Sequence, residues 1–203
     1  MSATSVSLCP AEPGLDEGRL FARYLDVAAE GAFRAMLGRR SERIVAEAYT
    51  NPGHDLSYER VTFAARDGSI IGMASGYTAD EHRHSSQQPL SDAAGIAALR
   101  MRIVTSLGRR IFRFIETVPD GDFYLQAVAV DDDQRGNGIG SMLIDHIENT
   151  ARAHGCARIV LDVAANNEVA RRLYEHRGMT VEAESPRVLL MPGFRALRMV
   201  KAL

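Results

Sequence analysis

The hydrophobic positions of the chain follow a helical period through its first third. Residues 15–38 carry apolar side chains at three- and four-residue spacing, which predicts helix. A second helical pattern begins at Ser41, a residue suited to cap a first turn, and it ends before Pro52 and Gly53. The apolar positions that set the first pattern are Leu20, Phe21, Tyr24, Leu25 and Ala28.

The next segment has the period of strands. Residues 58–78 contain two runs rich in Val, Ile and aromatic side chains, joined through Asp67-Gly68, which predicts a β-hairpin. A polar stretch follows from Thr78, and a helical pattern then continues until Pro119 breaks it. The sequence therefore predicts a loop and a helical insertion at about 79–120.

After this insertion the pattern alternates between strand and helix. The segment "FYLQAVAV" predicts a strand, "GIGSMLIDHIENTARAHG" a helix, "RIVLDV" a second strand and "NNEVARRLYEHRG" a short helix closed by Gly178. This order predicts a parallel strand pair with a crossover, so that the carboxyl ends of both strands face one crevice. The tail segments "MTVEAES" and "ALRMVKAL" predict two further strands.

Length and composition limit the organisation of the chain and its partners. With 203 residues, of which 46% are hydrophobic, we expect a single domain spanning 1–203. The net charge is −2 and the basic residues are scattered, so no nucleic-acid partner is expected. The amino terminus lacks a signal-like segment and no apolar run reaches membrane-spanning length, which favours a cytoplasmic, soluble protein without a membrane partner.

Cysteine and histidine usage gives no sign of a metal site. Cys9 and Cys156 are far apart and lack metal-binding spacing, so both are expected to be free thiols in a reducing compartment. His82 and His84 lie in the polar stretch without further ligand-type spacing, and histidines in such a loop are usually solvated. No metal is expected.

The segment "QRGNGIG", residues 134–140, lies between a predicted strand and a predicted helix. Helix amino termini carry unpaired N–H groups and a partial positive charge, so a glycine-rich turn at this point can hold a phosphate or pyrophosphate. The alternative is that the glycines only permit a tight turn. Their spacing departs from the dinucleotide fingerprint, and no Gly-Lys-Ser/Thr follows to make a P-loop.

"VAVDDDQRGNGIGSMLI" resembles the pyrophosphate-binding motif of the GCN5-related N-acetyltransferase (GNAT) superfamily. That motif reads Gln or Arg, two residues, Gly, one residue, then Gly or Ala, and Arg135, Gly138 and Gly140 satisfy it. The segment "LDVAANNEVARRLYEHRGM" is similar to the family's next strand and helix. The chain departs from the family in having Met179 for a usual Phe, Asp132 for a frequent Pro, and a longer insertion.

The resemblance implies a fold and a co-substrate. The fold is mixed α/β (α+β): a central, twisted, mostly antiparallel sheet in which the fourth and fifth strands run parallel and splay apart, flanked by helices. The co-substrate is acetyl-CoA or a close acyl-CoA. The binding residues implied are Val128, Ala129 and Val130 for the pantetheine arm, Arg135, Gly136, Asn137, Gly138, Ile139, Gly140 and Ser141 for the pyrophosphate, and Asn167.

Several of these residues have ordinary structural alternatives that the sequence leaves open. Val128 to Val130 fit a core strand equally well, and Arg135 is of a type that is often simply solvated in loops. Asn167 suits a helix cap on its own, whereas the resemblance favours a contact with the coenzyme.

The catalytic candidates are Tyr174 and Asp162. Tyr174 lies two helical turns after Asn167, and its hydroxyl is a candidate acid for the departing CoA thiolate, although a tyrosine at this spacing is usually core. Asp162 alternates with apolar strand residues and is the leading candidate for the base, with an ordinary salt bridge or an exposed strand position as the equal alternative. Asp80, Glu81 and Glu116 are weaker candidates for attracting a cationic acceptor.

These observations predict an acyl-CoA-dependent N-acetyltransferase. It would move an acetyl group to a primary amine by direct attack in a ternary complex. The alternative is a catalytically silent acyl-CoA-binding module with a sensing or regulatory role. The acceptor would be a small-molecule or peptide amine, and because dimerisation is common in the family, a homodimer is a further expectation.

Overall fold

The computed structural model describes residues 5–187 and 195–203. Short 3-10 turns precede α3, β2 and α8, at residues 38–40, 58–60 and 132–134. In chain order the helices and strands are β1 Ser7–Pro10, α1 Leu15–Ala28, α2 Ala32–Leu37, α3 Ser41–Tyr49, β2 Val61–Arg66, β3 Ser69–Thr78, α4 Ala79–His84, α5 Gln88–Ala94, α6 Ala97–Leu107, α7 Arg109–Glu116, β4 Asp122–Val130, α8 Ile139–Ala153, β5 Arg158–Ala164, α9 Glu168–His176, β6 Thr180–Glu184 and β7 Ala196–Ala202.

The strands form one seven-stranded sheet in the order β1-β2-β3-β4-β5-β7-β6. Neighbours pair antiparallel except β4 and β5, which run parallel and are joined by the α8 crossover. The predicted fold class, with a mostly antiparallel sheet and a parallel β4–β5 pair, is therefore confirmed. The hairpin turn also lies where the Asp67-Gly68 signal placed it, with positive φ at both residues.

Each face of the sheet is covered by its own helices. On one face, here called the α8 face, α8 packs its buried side chains, including Leu143 and Ile147, against Leu161 of β5, and Tyr174 of α9 packs against the same cluster. On the other, the α1 face, α1 packs over β3 and β4, and α3 packs against α1, with Phe21 and Tyr49 in their shared core cluster. A substrate bound between β4 and β5 would therefore meet different side chains on the two faces.

Four local features differ from the sequence prediction. The short edge strand β1 was not predicted, and it exists through its pairing with β2. The predicted helix over 15–38 is interrupted because Glu30 and Gly31 both adopt positive φ, of 52° and 84°. Ser41 does not cap α3, since the preceding 3-10 turn runs straight into the helix. The polar stretch after Thr78 begins with α4, which Thr78 and Glu81 cap reciprocally.

The segment predicted as a helical insertion contains the four helices α4 to α7. Among the described residues, no helix combines the length and the apolar character that crossing a membrane would require.

Candidate active site

The two parallel strands separate part-way along their length. β4 pairs with β5 only from Asp122–Arg158 to Tyr124–Val160. Directly afterwards β4 contains a bulge: Leu125 pairs with Gly76 and Ala127 with Ser75 of β3, so that Gln126 is left without a partner. A bulge bends its strand, and the described residues of β4 beyond it are paired with β3 alone. An open cleft therefore lies between the carboxyl ends of β4 and β5.

The residues predicted to bind the pantetheine arm line this cleft. Val128, Ala129 and Val130 are each paired with β3 on one side. Their other side faces the gap, where β4 and β5 are not paired. The backbone groups directed into the gap suit an extended amide-containing chain that adds itself as a strand.

The glycine loop connects β4 to α8 at the open end of the cleft. Gly136 and Gly138 have φ of 79° and 78°, a left-handed conformation that disfavours other residues. The backbone N–H groups of residues 136–141 have no hydrogen-bond acceptor among the described residues. Three of them, from Ile139 to Ser141, form the first turn of α8, where the helix dipole adds a favourable field for an anion. The loop thus presents consecutive donors to a phosphate-bearing ligand.

Two polar side chains of the loop are engaged within it. Asn137 Nδ2 donates to the Gln134 carbonyl oxygen at 3.1 Å, which closes the turn. Arg135 Nε donates to the Val130 carbonyl oxygen at 3.3 Å, and its Nη2 lies 2.7 Å from Asp132 Oδ1. The Arg135 side chain remains 58% exposed, so its remaining N–H groups are open to a ligand.

A separate depression of about 400 Å³ lies beside the loop, between the loop and α1. Tyr24 of α1 donates its hydroxyl hydrogen to Asp131 Oδ1 at 2.8 Å, and this bond fixes α1 to the end of β4. Burial and the Asp131 carboxylate raise the pKa of Tyr24 far above its usual value, so the phenol stays protonated.

Tyr174 lies on α9 and packs against the α8 face. Its hydroxyl forms no hydrogen bond with the described residues, and desolvation raises its pKa to about 12. A neutral phenol in an apolar setting has a free proton to donate, which fits a hydrogen bond to a thiolate.

Asn167 has two partners and joins two parts of the site. Its Oδ1 accepts from the Ala170 backbone N–H at 3.1 Å, so it caps α9. Its Nδ2 donates to Glu30 Oε1 at 2.8 Å, in the turn between α1 and α2. Capping is one of the two alternatives that the sequence left open, and a contact with the coenzyme remains a prediction.

Asp162 lies on the α1 face of β5 in a buried ion pair. Arg198 Nε donates to Asp162 Oδ1 at 3.0 Å and Nη2 to Oδ2 at 2.7 Å, and the two side chains are 7% and 4% exposed respectively. Tyr124 Oη donates to Asp162 Oδ2 at 3.2 Å. Burial raises the pKa of Asp162, while the bonds from Arg198 and Tyr124 act against that rise. The structure thus contains the salt bridge given as the alternative, and a role as base remains a prediction.

Arg198 also fixes the insertion to the sheet. Its Nη1 donates to the Thr117 carbonyl oxygen at 2.6 Å and Nη2 to that of Phe114 at 2.7 Å, while its guanidinium lies 4.7 Å from the Phe114 ring centre. These carbonyls belong to the end of α7, where helix carbonyls lack internal partners. The insertion therefore ends against the same residue that holds Asp162.

The acidic residues of the insertion have partners of their own. Asp80 pairs with Arg83, and Glu81 pairs with Arg60 while capping α4. Burial raises the pKa of Glu116, with the Asp55 carboxylate adding to the effect and His82 opposing it. Their role in attracting a cationic acceptor stays a prediction.

His82 is half-buried and held by partners, whereas the sequence favoured a freely solvated side chain. Its Nδ1 lies 2.8 Å from Asp55 Oδ2, its Nε2 lies 2.8 Å from the Glu116 carbonyl oxygen, and its ring stacks on Tyr77 with centroids 5.2 Å apart. Both ring nitrogens face acceptors, which requires the protonated imidazolium. The hydrogen bond to Asp55 raises the pKa of His82, against the opposing effect of burial. His84 is exposed, and the described residues contain no cluster able to hold a metal ion.

Three residues of the site were missed from the sequence. Tyr124 and Arg198 reach Asp162 only across strand pairing, and no local pattern marks such contacts. The bulge at Gln126 is visible in the sequence. The large apolar residues of this strand stand at odd positions up to Leu125, with Phe123, and at even positions from Val128, with Val130. A change of phase within a strand is what a bulge produces.

The seven-stranded sheet with its parallel β4–β5 pair, the open cleft and the donor loop together define the fold of the GNAT acetyltransferase class. The family model for the acetyltransferase (GNAT) family matches residues 32–179, and the chain belongs to this family.

One curated protein is similar in sequence, and two solved structures are similar in fold. A mycothiol acetyltransferase of Saccharopolyspora erythraea is 31% identical over 165 residues, which cover 77% of this chain and 53% of that protein, so the chain spans about half the relative's length. A crystal structure described as an acetyltransferase superimposes with a TM-score of 0.66 at 22% identity, covering 97% of this chain and 98% of that one. An N-acetyltransferase from Staphylococcus aureus Mu50 gives 0.65 at 14% identity, covering 96% and 100%.

Proposed function

We propose that this protein transfers an acetyl group from acetyl-CoA to a primary amine by direct attack within a ternary complex. The observation that carries the proposal is the row of unpaired N–H groups at residues 136–141, placed at the open end of the cleft between β4 and β5. The pyrophosphate would bind to this row, with Arg135 adding a charge-assisted contact. The pantetheine arm would then extend along residues 128–130.

The candidate catalytic residues lie on opposite faces of the sheet. Tyr174 packs on the α8 face, whereas Asp162 lies on the α1 face, because its neighbours Leu161 and Val163 on β5 point to the α8 face. Tyr124 lies on the same face as Asp162 and donates a hydrogen bond to it. The amine would approach from the α1 face and form the C–N bond. The C–S bond would break with its electron pair leaving on sulfur, and Tyr174 would stabilise the thiolate on the α8 face.

The amine must lose a proton, and Asp162 is the proposed acceptor, acting through Tyr124. The amine proton would pass to Tyr124 Oη while the Tyr124 proton passes to Asp162 Oδ2 along the existing 3.2 Å hydrogen bond. Arg198 would keep Asp162 charged before the reaction, since two hydrogen bonds favour the carboxylate.

A second candidate function is a catalytically silent acyl-CoA sensor. The observation that favours it is the engagement of both Asp162 carboxylate oxygens by Arg198 and Tyr124, which leaves the carboxylate already occupied by donors when an amine arrives. Both candidates require coenzyme binding, and turnover separates them.

The test begins with thermal unfolding of the protein alone and with acetyl-CoA, CoA or NAD. A ligand at about 100 times its Kd adds roughly 2.7 kcal/mol, which raises the Tm by roughly 5–10 °C for this size. We expect a rise with both CoA species and none with NAD. Release of free thiol from acetyl-CoA is then followed with a panel of primary amines. No rise with either CoA species contradicts both candidates, and binding without thiol release from any amine favours the sensor.

A further inference from the structure

Gln126 is the bulged residue of β4, at the position where the strand leaves β5. The last β4–β5 pair is Tyr124–Val160, and the bulge follows two residues later. Its side chain contacts Ser75, which shares the α1 face of β3 with Met73 and Tyr77. Gln126 is half-buried and lies on the face from which the proposed acceptor would approach.

The orientation of the Gln126 amide is fixed by a neighbour. Ser75 is fully buried and its hydroxyl donates to Gln126 Oε1 at 3.0 Å. The reversed amide could donate from Nε2 to Ser75 Oγ, but the buried hydroxyl proton would then lack the one acceptor it has among the described residues, which is costly. The amide therefore keeps its oxygen towards Ser75 and turns its Nε2 away.

The Nε2 group is a donor with no acceptor among the described residues. It forms no hydrogen bond with the described residues, and it is not one of the fully buried atoms without a partner, so it keeps some exposed surface. It is therefore open to a ligand. From Gln126 to Val130 the strand spans roughly 13 Å, a length that an extended pantetheine arm covers.

We propose that Gln126 Nε2 donates a hydrogen bond to the carbonyl oxygen of the bound thioester. The inference rests on the proposed function, since it needs acetyl-CoA in the cleft. During attack, the amine lone pair forms the C–N bond and the carbonyl π electrons move to oxygen, where the negative charge develops. A donor held towards that oxygen stabilises the charge most when it is fully formed, and it makes Gln126 a catalytic residue.

Coenzyme affinities alone test this contact, so the acceptor amine need not be known. The affinities for acetyl-CoA and for CoA are measured by calorimetry for the wild type and for Gln126→Met, which keeps the side-chain length but has no donor. We expect the acetyl-CoA affinity to fall about three- to tenfold. The CoA affinity should stay within about twofold, because CoA has no thioester carbonyl. Gln87→Ala, an exposed glutamine change on the insertion, is the control and should alter neither affinity.

Gln126→Glu provides a second, pH-dependent readout. A carboxylate at this position repels the carbonyl oxygen, whereas a protonated carboxylic acid donates to it. The acetyl-CoA affinity of this variant, relative to CoA, should therefore be low at neutral pH and recover as the pH falls below about 5. The wild-type ratio should change little over the same range.

The outcomes separate this inference from the proposed function. If the wild type binds neither CoA species, the proposed function fails and this contact with it. If the wild type binds both and Gln126→Met weakens both equally, Gln126 only shapes the bulge and the contact is overturned. The contact is also overturned if the variant leaves both affinities unchanged, or if Gln126→Glu binds acetyl-CoA best at neutral pH.

Discussion

Asp162 and Arg198 face each other across the β5–β7 pairing and are joined by two hydrogen bonds, of 3.0 and 2.7 Å. Both side chains are almost fully buried. Removing one partner from such a pair leaves an uncompensated charge, whereas replacing both with apolar residues is often tolerated. The pair is therefore a structural element in addition to any chemical role of Asp162.

The first prediction concerns stability. Arg198→Met should lower the free energy of unfolding by about 3–5 kcal/mol, because Asp162 is left buried and unpaired. The double variant with Asp162→Leu should recover part of that loss. It should not recover all of it, because Arg198 also satisfies the Phe114 and Thr117 carbonyls. Urea unfolding measures all three proteins, and equal losses in the single and double variants would refute the pairing argument.

The second prediction tests Asp162 as a base. Asp162→Asn should lower kcat by about a hundredfold or more if the carboxylate accepts the amine proton, with CoA affinity unchanged. The rate is measured with the amine found by the thiol-release screen, at a temperature where the variant is folded. A kcat within a few-fold of the wild type would leave Asp162 with a structural role only.

The third prediction concerns Tyr174. Tyr174→Phe should keep the affinity for CoA and lower kcat by one or two decades, since only the hydroxyl is removed. Because desolvation raises the pKa of Tyr174 to about 12, the phenol stays protonated and should cause no fall in rate between about pH 6 and 10. Tyr58→Phe, a half-buried tyrosine outside the cleft, is the control. An unchanged kcat in the Tyr174 variant would remove its role as acid.

A raised pKa also limits how Tyr174 can act. With a thiol pKa near 8.5, complete proton transfer from a phenol of pKa about 12 is uphill by roughly 5 kcal/mol. Tyr174 is therefore better suited to stabilise the thiolate by a hydrogen bond than to protonate it fully.

The fourth prediction compares two glycines of the loop. Gly138→Ala places a side chain at φ of 78°, which costs about 1–2 kcal/mol, and it should weaken CoA binding by on the order of tenfold. Gly140→Ala adds the same methyl group without positive φ and meets only Val130 Cγ2 at 3.9 Å. Its CoA affinity and Tm should stay near those of the wild type. Calorimetry measures the CoA affinity and thermal unfolding the Tm of both variants. Equal effects of the two substitutions would contradict a role for the left-handed backbone conformation at Gly138.

The fifth prediction concerns pH and His82. The folded-state pKa of His82 is raised by Asp55, so its contribution to stability is complete below the unfolded value of about 6.5 and is lost as the pH rises through the folded value. His82→Gln should therefore destabilise the protein more at pH 6 than at pH 8.5. Urea unfolding of the wild type and the variant at both pH values measures the difference. An equal loss of stability at pH 6 and pH 8.5 would contradict the prediction.

The elements predicted correctly are those marked by a pattern within their own segment of the sequence. The strands β4 to β7 and the helices α8 and α9 follow from alternation, helical spacing and glycines such as Gly178, whose φ is 83°. β1 has four residues and depends on its partner β2, so no local pattern marks it. His82 was predicted to be solvated because its partners, Asp55 and the Glu116 carbonyl, lie 27 and 34 positions away.

The candidate site divides in the same way. The glycine loop is continuous in sequence, so the sequence predicted its position between a strand and a helix, and the resemblance to the family motif implied its ligand. The proposed acceptor side is assembled from β3, β4, β5 and β7, and its contacts depend on strand register. Sequence alone therefore indicated single acidic candidates such as Asp162 for this side, but not the contacts that join them to Tyr124 and Arg198.

One hydrogen bond from α1 and one from the turn after it reach residues on the two sides of the β4–β5 gap. Tyr24 holds Asp131 at the end of β4, and Glu30, directly after the helix, holds Asn167 at the end of β5. The two bonds connect the ends of β4 and β5 through one helix, and they restrain the width of the gap without any ligand. With the proposed function, the coenzyme arm would enter a gap that is already restrained, and less of its binding energy would be spent on reorganising the protein.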